Sequence, residues 1–270
     1  MNTQAGATSP SLDSITASRT RFPLLTLVRA EVLQRLRVPG FVITTIIFPT
    51  MFFAFFGLPN VRRAVDGVNI GAYMVASYGA YAVMSVALIA FGVSISAERG
   101  LGWNKLLRAS PMGPLPYFIA KVLMALVLGF LSLALLFAFA AVVGHLREPI
   151  AFWASLSGLL VIGMIPFVIL GLAIGYLASP TVAAPIANLI SLPLSFASGL
   201  FVPIRMLPVG VQSVAPFLPS YHVGQLGWTL LGAGDGAGYG AHIAWIAAYA
   251  GIFLAVALVA YRRDEGRTFG

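Results

Sequence analysis

Residues 70–111 read IGAYMVASYGAYAVMSVALIAFGVSISAERGLGWNKLLRASP. Positions 70–97 carry no charge. Glu98, Arg99, Lys105 and Arg108 then arrive within eleven residues, and apolar sequence resumes near Leu115. Crossing the hydrocarbon of a bilayer takes roughly 20 apolar residues in a row, so this run is long enough and to spare. The rest of the chain keeps the same balance. Of 270 residues, 9% are charged and 59% are hydrophobic, whereas a soluble domain carries about a quarter charged residues. There is too little polar surface to face water on all sides. The expected class is all-α: a polytopic membrane protein.

Working outward from this run, we read six spans. They cover about Phe41 to Leu58, Ile70 to Ala97, Leu115 to Gly144, Ala151 to Leu177, Ala183 to Phe201 and His242 to Tyr261. Residues 1–20 are rich in Ser, Thr and Ala without apolar periodicity and read as a disordered tail. Within 21–38, Leu25, Val28, Val32 and Leu36 recur at spacings of three and four, the signature of an amphipathic helix. Arg29, Gln34, Arg35 and Arg37 fall largely elsewhere around it, so an interfacial helix with its cations toward headgroups is expected. Residues 39–261 form the six-span domain, and 262–270 a C-terminal tail. The first apolar run starts near Phe41, not close to Met1, so it reads as an anchor and not as a cleaved leader.

Between the fifth and sixth spans, VPIRMLPVGVQSVAPFLPSYHVGQLGWTLLGAG (202–234) is apolar but cut by Pro203, Pro208, Pro216 and Pro219. Proline breaks helix interiors, so two short helical pieces that re-enter the membrane edge are expected. Such backbone is tolerated at that depth only against protein or a watery cavity.

Cations set the expected orientation. Arg19, Arg21, Arg29, Arg35, Arg37, Arg99, Lys105, Arg108, Lys121, Arg262, Arg263 and Arg267 fall on the side of the termini, and only Arg62, Arg63, Arg147 and Arg205 on the other. That places both termini in the cytoplasm. The net charge of +8 then reflects this bias, not nucleic acid.

The chain's own chemistry is sparse. It has no cysteine, which excludes disulfides and thiolate metal sites. A P-loop needs Gly-Lys-Ser/Thr, but Lys105 follows Asn104 and Lys121 follows Ala120. All eight carboxylates fall outside the drawn spans, and Lys121 sits near a span end where it can snorkel. This weakens an ion-coupled carrier, which commonly uses intramembrane ionisable groups. His145, His222 and His242 are scattered near span ends and read as interfacial. No catalytic, metal or cofactor site is expected, so any uphill transport must be powered by another chain.

The charged stretch suits that need. Glu98 and Arg99 open it, Trp103, Leu106 and Leu107 can share an apolar face, and Lys105 and Arg108 point elsewhere. Such a short amphipathic helix could dock a soluble partner, with an aromatic anchor and rim charges. It also reads as a plain solvated loop obeying the charge bias. For a substrate path, Asn188, Ser191 and Ser195 lie at three-to-four spacing on the fifth span, and Phe196 and Thr45 could join them. Small polar residues also simply let helices pack closely.

Three segments together resemble the six-span permeases of bacterial ABC exporters of the type 2 class. They are the basic helix running into RVPGFVITTIIFPTMFFAFFG, the loop SAERGLGWNKLLRASPM, and SGLFVPIRMLPVGVQSVAPFLPSYH before the last span. The resemblance implies a multi-pass protein of the bacterial inner membrane. The loop after span two would be a coupling helix on an ATPase, with Glu98 at its acidic start. Where the family often has a second Glu and a Thr, this chain has Gly100 and Trp103. The segment holding Gly199, Pro203, Pro208, Pro219 and Tyr221 would form extracellular re-entrant helices that act as a gate. Two copies, or this chain and a relative, would enclose a path in membrane lipid. Two cytoplasmic ATPase subunits would hold the ATP and magnesium. With no buried charge expected, the cargo would be apolar or amphipathic, such as a drug or lipid. The alternatives are an ion-coupled carrier or channel, and a non-transporting membrane anchor.

Overall fold

The computed structural model of the chain describes residues 24–102 and 114–267. Helix α1 (Leu24–Leu36) leads, and α2 (Pro39–Asn60) follows the expected break at Pro39-Gly40. Two-residue strands β1 (Ala64–Val65) and β2 (Val68–Asn69) form an antiparallel hairpin, the described departure from an all-helical chain. Then come α3 (Ile70–Gly100), α4 (Pro114–Val142), α5 (Ile150–Leu177) and α6 (Ala183–Ala197). Two short helices, α7 (Val209–Val214) and α8 (Pro219–Leu230), precede the long α9 (Gly238–Arg267).

Five of these helices, α2, α3, α4, α5 and α9, are long and apolar enough to cross a membrane. The expected fifth span is shorter than drawn. α6 has 15 residues, about 22 Å at 1.5 Å per residue, against a hydrocarbon layer of about 30 Å. It stops because Gly199 adopts φ +84°, a left-handed cap that L side chains disfavour.

Helix α3 is the axis of the molecule. Its start is set by Asn69, whose Oδ1 accepts the Ala72 amide at 3.0 Å while its Nδ2 donates to the Val61 carbonyl, an N-cap. In its most apolar window 89% is buried, against 17% for α9. Within the chain, α9 therefore lies outermost and α3 central. α3 and α5 meet backbone to backbone. A Cβ on Gly171 would stand 2.8 Å from the Ala87 carbonyl oxygen, and one on Gly92 2.9 Å from the Gly171 oxygen. With Gly175 one turn further, α5 presents the Gly-x-x-x-Gly face that permits such approach.

The segment between α6 and α9 forms two short helices, as its prolines imply. α8 is buried against α3, α5 and α9. Trp228 stacks on Tyr73 at 5.2 Å, and its Nε1 donates to Ser77 Oγ at 2.8 Å. α8 thus sits at the end of the bundle opposite Glu98. Helix α1 packs on α4, with Val28 buried, Val32 and Leu36 partly so, and Leu25 exposed.

Candidate functional site

Two charged neighbours end α3, and they face opposite ways. On one side, Glu98 meets Lys121 of α4, a fully buried lysine inside an otherwise uncharged helix. The Lys121 Nζ donates to Glu31 Oε2 of α1 at 2.7 Å, to Ser94 Oγ at 2.6 Å and to Glu98 Oε1. An ammonium has three donors, and all three are used. Ser94, one turn before Glu98, donates to its Oε1 at 3.1 Å, and the Tyr117 hydroxyl, one turn before Lys121, donates to Oε2. Two carboxylates face one ammonium, and Arg35 of α1 supplies the balancing cation. Burial holds its pKa below the ordinary value, with the charges of Glu31 and Glu98 pulling the other way.

On the other side, Arg99 grips α9 and α5. Its Nη2 donates to Asp264 Oδ1 at 2.6 Å and its Nε to Oδ2 at 3.2 Å, the side-on fork that guanidinium geometry allows. Its Nη1 donates to the Gly175 carbonyl at 2.6 Å. Ser96 Oγ donates to the Ala178 carbonyl at 2.8 Å. Together they satisfy carbonyls that the end of α5 leaves without intrahelical partners. Gly100 packs against Pro180, where a Cβ would stand 2.6 Å from Cγ, so the glycine that departs from the family pattern fits a crowded corner. A cavity of about 290 Å³ opens beside the pair, bounded by Arg99, Tyr176, Ser179, Ala260, Arg263 and Asp264.

The end of α3 is therefore clamped through adjacent residues to α1, α4, α5 and α9. The readings of Lys121 and of the carboxylates change here. Lys121 does not snorkel; two carboxylates come to it. Glu98 and Asp264 lie within apolar helices, not outside them. Two of the three histidines are also not scattered, because His222 and His242 pack together, Nδ1 to Nδ1 at 3.1 Å.

Of the other residues singled out by sequence, Trp103, Lys105, Leu106 and Arg108 lie outside the described residues. Thr45, Ser191 and Ser195 are fully buried within the chain. Their hydroxyls return to helix carbonyls: Thr45 to Phe41 at 2.6 Å, Ser191 to Asn188 at 3.4 Å and Ser195 to Ser191 at 2.7 Å. Asn188 is half-buried, and Phe196 is 48% exposed with its ring against Phe201 at 4.8 Å. Gly199 ends α6, Pro203 and Pro208 precede a short 3-10 turn and α7, and Pro219 opens α8. Tyr221 hydrogen-bonds Asp235 at 2.8 Å.

Sequence reasoning missed Glu31, Tyr117 and Asp264. The available signal was Lys121 itself, since a charge inside an apolar helix costs at least about 2.5 kcal/mol alone and so demands partners.

The fold, with five helices long and apolar enough to cross a membrane, defines a class: a multi-pass helical membrane protein. Residues 23–226 match the family described as ABC-2 type transporter. The chain belongs to that family, as a membrane permease that carries neither an ATPase domain nor a cofactor of its own; permeases of this kind pair with ATPase subunits. It is also 30% identical over 207 residues to "Putative transport permease YvfS" of Bacillus subtilis (strain 168), covering 76% of this chain and 84% of that protein.

Proposed function

We propose that this permease forms half of an ATP-driven exporter for an apolar or amphipathic substrate. A second copy or a relative completes the path, and two cytoplasmic ATPase subunits drive it. The observation that carries the reading is the pair of ionic clamps at the end of α3. A partner that moves the 103–113 segment pulls at once on α1 and α4 through Glu98 and on α5 and α9 through Arg99. Near-rigid helices held in this way move as bodies, which is what transmission from an ATPase needs. Both termini then face the cytoplasm of a bacterial inner membrane, with α6 counted as a sixth, short crossing that thins the bilayer locally. Trp103, Leu106, Lys105 and Arg108 supply the ATPase-facing surface, and Gly199, Pro203, Pro208, Pro219 and Tyr221 belong to the outer gate. Asn188 and Phe196 are the members of the proposed path that keep surface in this conformation. Ser191 and Ser195 support the same face from behind, whereas Thr45 lies on α2, where its carbonyl accepts from Ser132 of α4 at 3.1 Å.

In vesicles containing the permease and its ATPase, Glu98→Gln and Trp103→Ala should each cut substrate-stimulated ATP hydrolysis at least tenfold without blocking membrane insertion. Full-rate transport by both variants would remove the coupling reading. One observation favours a second reading, an ion-coupled carrier: Lys121, Glu31 and Glu98 are the ionisable groups such a carrier uses. Transport that persists without ATP and follows an imposed ion gradient would establish it.

A further inference from the structure

At the end of the bundle opposite Glu98, α8 and α9 are joined by a pair of buried imidazoles. His222 of α8 is 3% exposed and His242 of α9 is 1% exposed, with their Nδ1 atoms 3.1 Å apart. His242 Nε2 lies 3.2 Å from Asp235 Oδ1, at ion-pair distance though off the line of a good hydrogen bond. Asp235 is itself anchored: it accepts from the Tyr221 hydroxyl at 2.8 Å and the Ala237 amide at 3.0 Å, and its own amide donates to Gln225 Oε1 at 3.1 Å. Trp245 stacks on the His222 ring at 5.2 Å with 9° between planes.

A nitrogen–nitrogen contact of 3.1 Å needs one proton between the two atoms and one lone pair to receive it. The pair satisfies this with both imidazoles neutral, or with one charged beside Asp235. It cannot satisfy it with two imidazoliums. Both Nδ1 atoms would then carry hydrogen, and two like charges would face each other where little water screens them. We propose that His222 and His242 form a proton-sensitive latch that ties α8 to α9 while they share one proton, and that a second proton opens it.

The surroundings fit this assignment. The charges acting on His222 are those of His242 and Asp235. Packed against α8, α5 and α6 hold no Asp, Glu, Lys, Arg or His, and the titratable groups of α3 near α8 are tyrosines, led by Tyr73, which senses Tyr221 and Arg205. α9 adds Tyr249, whose hydroxyl donates to the Phe217 carbonyl beside α8. Burial pushes His222 down to about 4; the His242 charge acts the same way, and Asp235 and the Pro216 backbone oppose it. Partial desolvation would raise the pKa of Asp235, but the Ala237 amide, the Tyr221 hydroxyl and His242 hold it below the ordinary carboxylate value. It therefore stays charged while His222 titrates. A histidine whose folded pKa is depressed binds protons preferentially when unfolded or released. The latch is thus intact above the ordinary histidine pKa of about 6.5 and weakens as pH falls toward about 4.

The chain has no cysteine, so Ser213→Cys on α7 and Ala241→Cys on α9 accept a unique pair of spin labels. Distances between them, measured on the purified full chain in detergent from pH 8 to pH 4, should show one population at pH 8. A second population should grow in with a midpoint between about 6.5 and about 4. His222→Phe keeps the ring on Trp245 but cannot titrate, and should hold one distance across the range. His242→Gln should do the same and serves if the first variant fails to fold. A distance that ignores pH in the parent, or an unchanged transition in either folded variant, would overturn the latch. Neither result depends on an ATPase or on transport.

Discussion

Lys121 has three N–H donors and three oxygens around them, contributed by two other helices. Its burial is tolerable because each donor is met and because Arg35 completes the charge balance. Removing one partner of such a buried set leaves an uncompensated charge, at a cost of about 3–5 kcal/mol. Lys121→Met should therefore lower the thermal midpoint of the detergent-solubilised protein by several degrees. The double variant Lys121→Met with Glu31→Gln should recover part of that loss. Equal midpoints for parent and Lys121→Met would mean that the cluster contributes nothing net. Arg99 differs in kind, because its planar fork divides between a carboxylate and a helix-end carbonyl. A lysine there keeps the charge but not the geometry.

At the scale of elements, the approach of α3 to α5 rests on glycine. Any side chain at 171 brings a carbon to 2.8 Å from the Ala87 oxygen, below contact distance, so the two helices must separate. Overpacking a tight core costs typically 1–3 kcal/mol. Gly171→Leu should therefore destabilise the protein by about that amount, whereas Gly158→Ala should be near neutral, since a Cβ there meets nothing within 4 Å. A thermal-shift comparison of the two separates a packing requirement from a general intolerance of α5. The separation would also move Gly175 from the reach of Arg99, so Gly171→Leu tests whether helix contact and the α9 clamp act together.

At the scale of the whole molecule, one end is braced by ions and the other by rings and a shared proton. α3 runs the full distance between them. A push on the 103–113 segment meets helices that are tied at that end, and two of them, α5 and α9, carry α8 at the far end together with α3. The chain has no nucleotide-binding motif. Sealed vesicles holding it alone should therefore accumulate no substrate against a gradient, and adding the ATPase with ATP should restore uphill movement. Accumulation by the permease alone would remove the division of labour between the two chains.

The run at 70–97, the proline spacing at 203–219 and the scarcity of charge were enough to read a multi-pass helical protein with two short helices before the last long one. Those features are local, because hydrophobic length and proline act on the residues that carry them. The length of α6 was not legible, since its end depends on the backbone at Gly199 and not on where apolar residues stop. The ionic clamps and the histidine pair were not legible either. Glu31, Glu98 and Lys121 are far apart in sequence, as are Arg99 and Asp264, and a charge in an apolar helix states only that a partner must exist. Which partner it finds is decided by how the helices pack, because that alone brings the groups within the few ångströms over which charge and hydrogen bonding act.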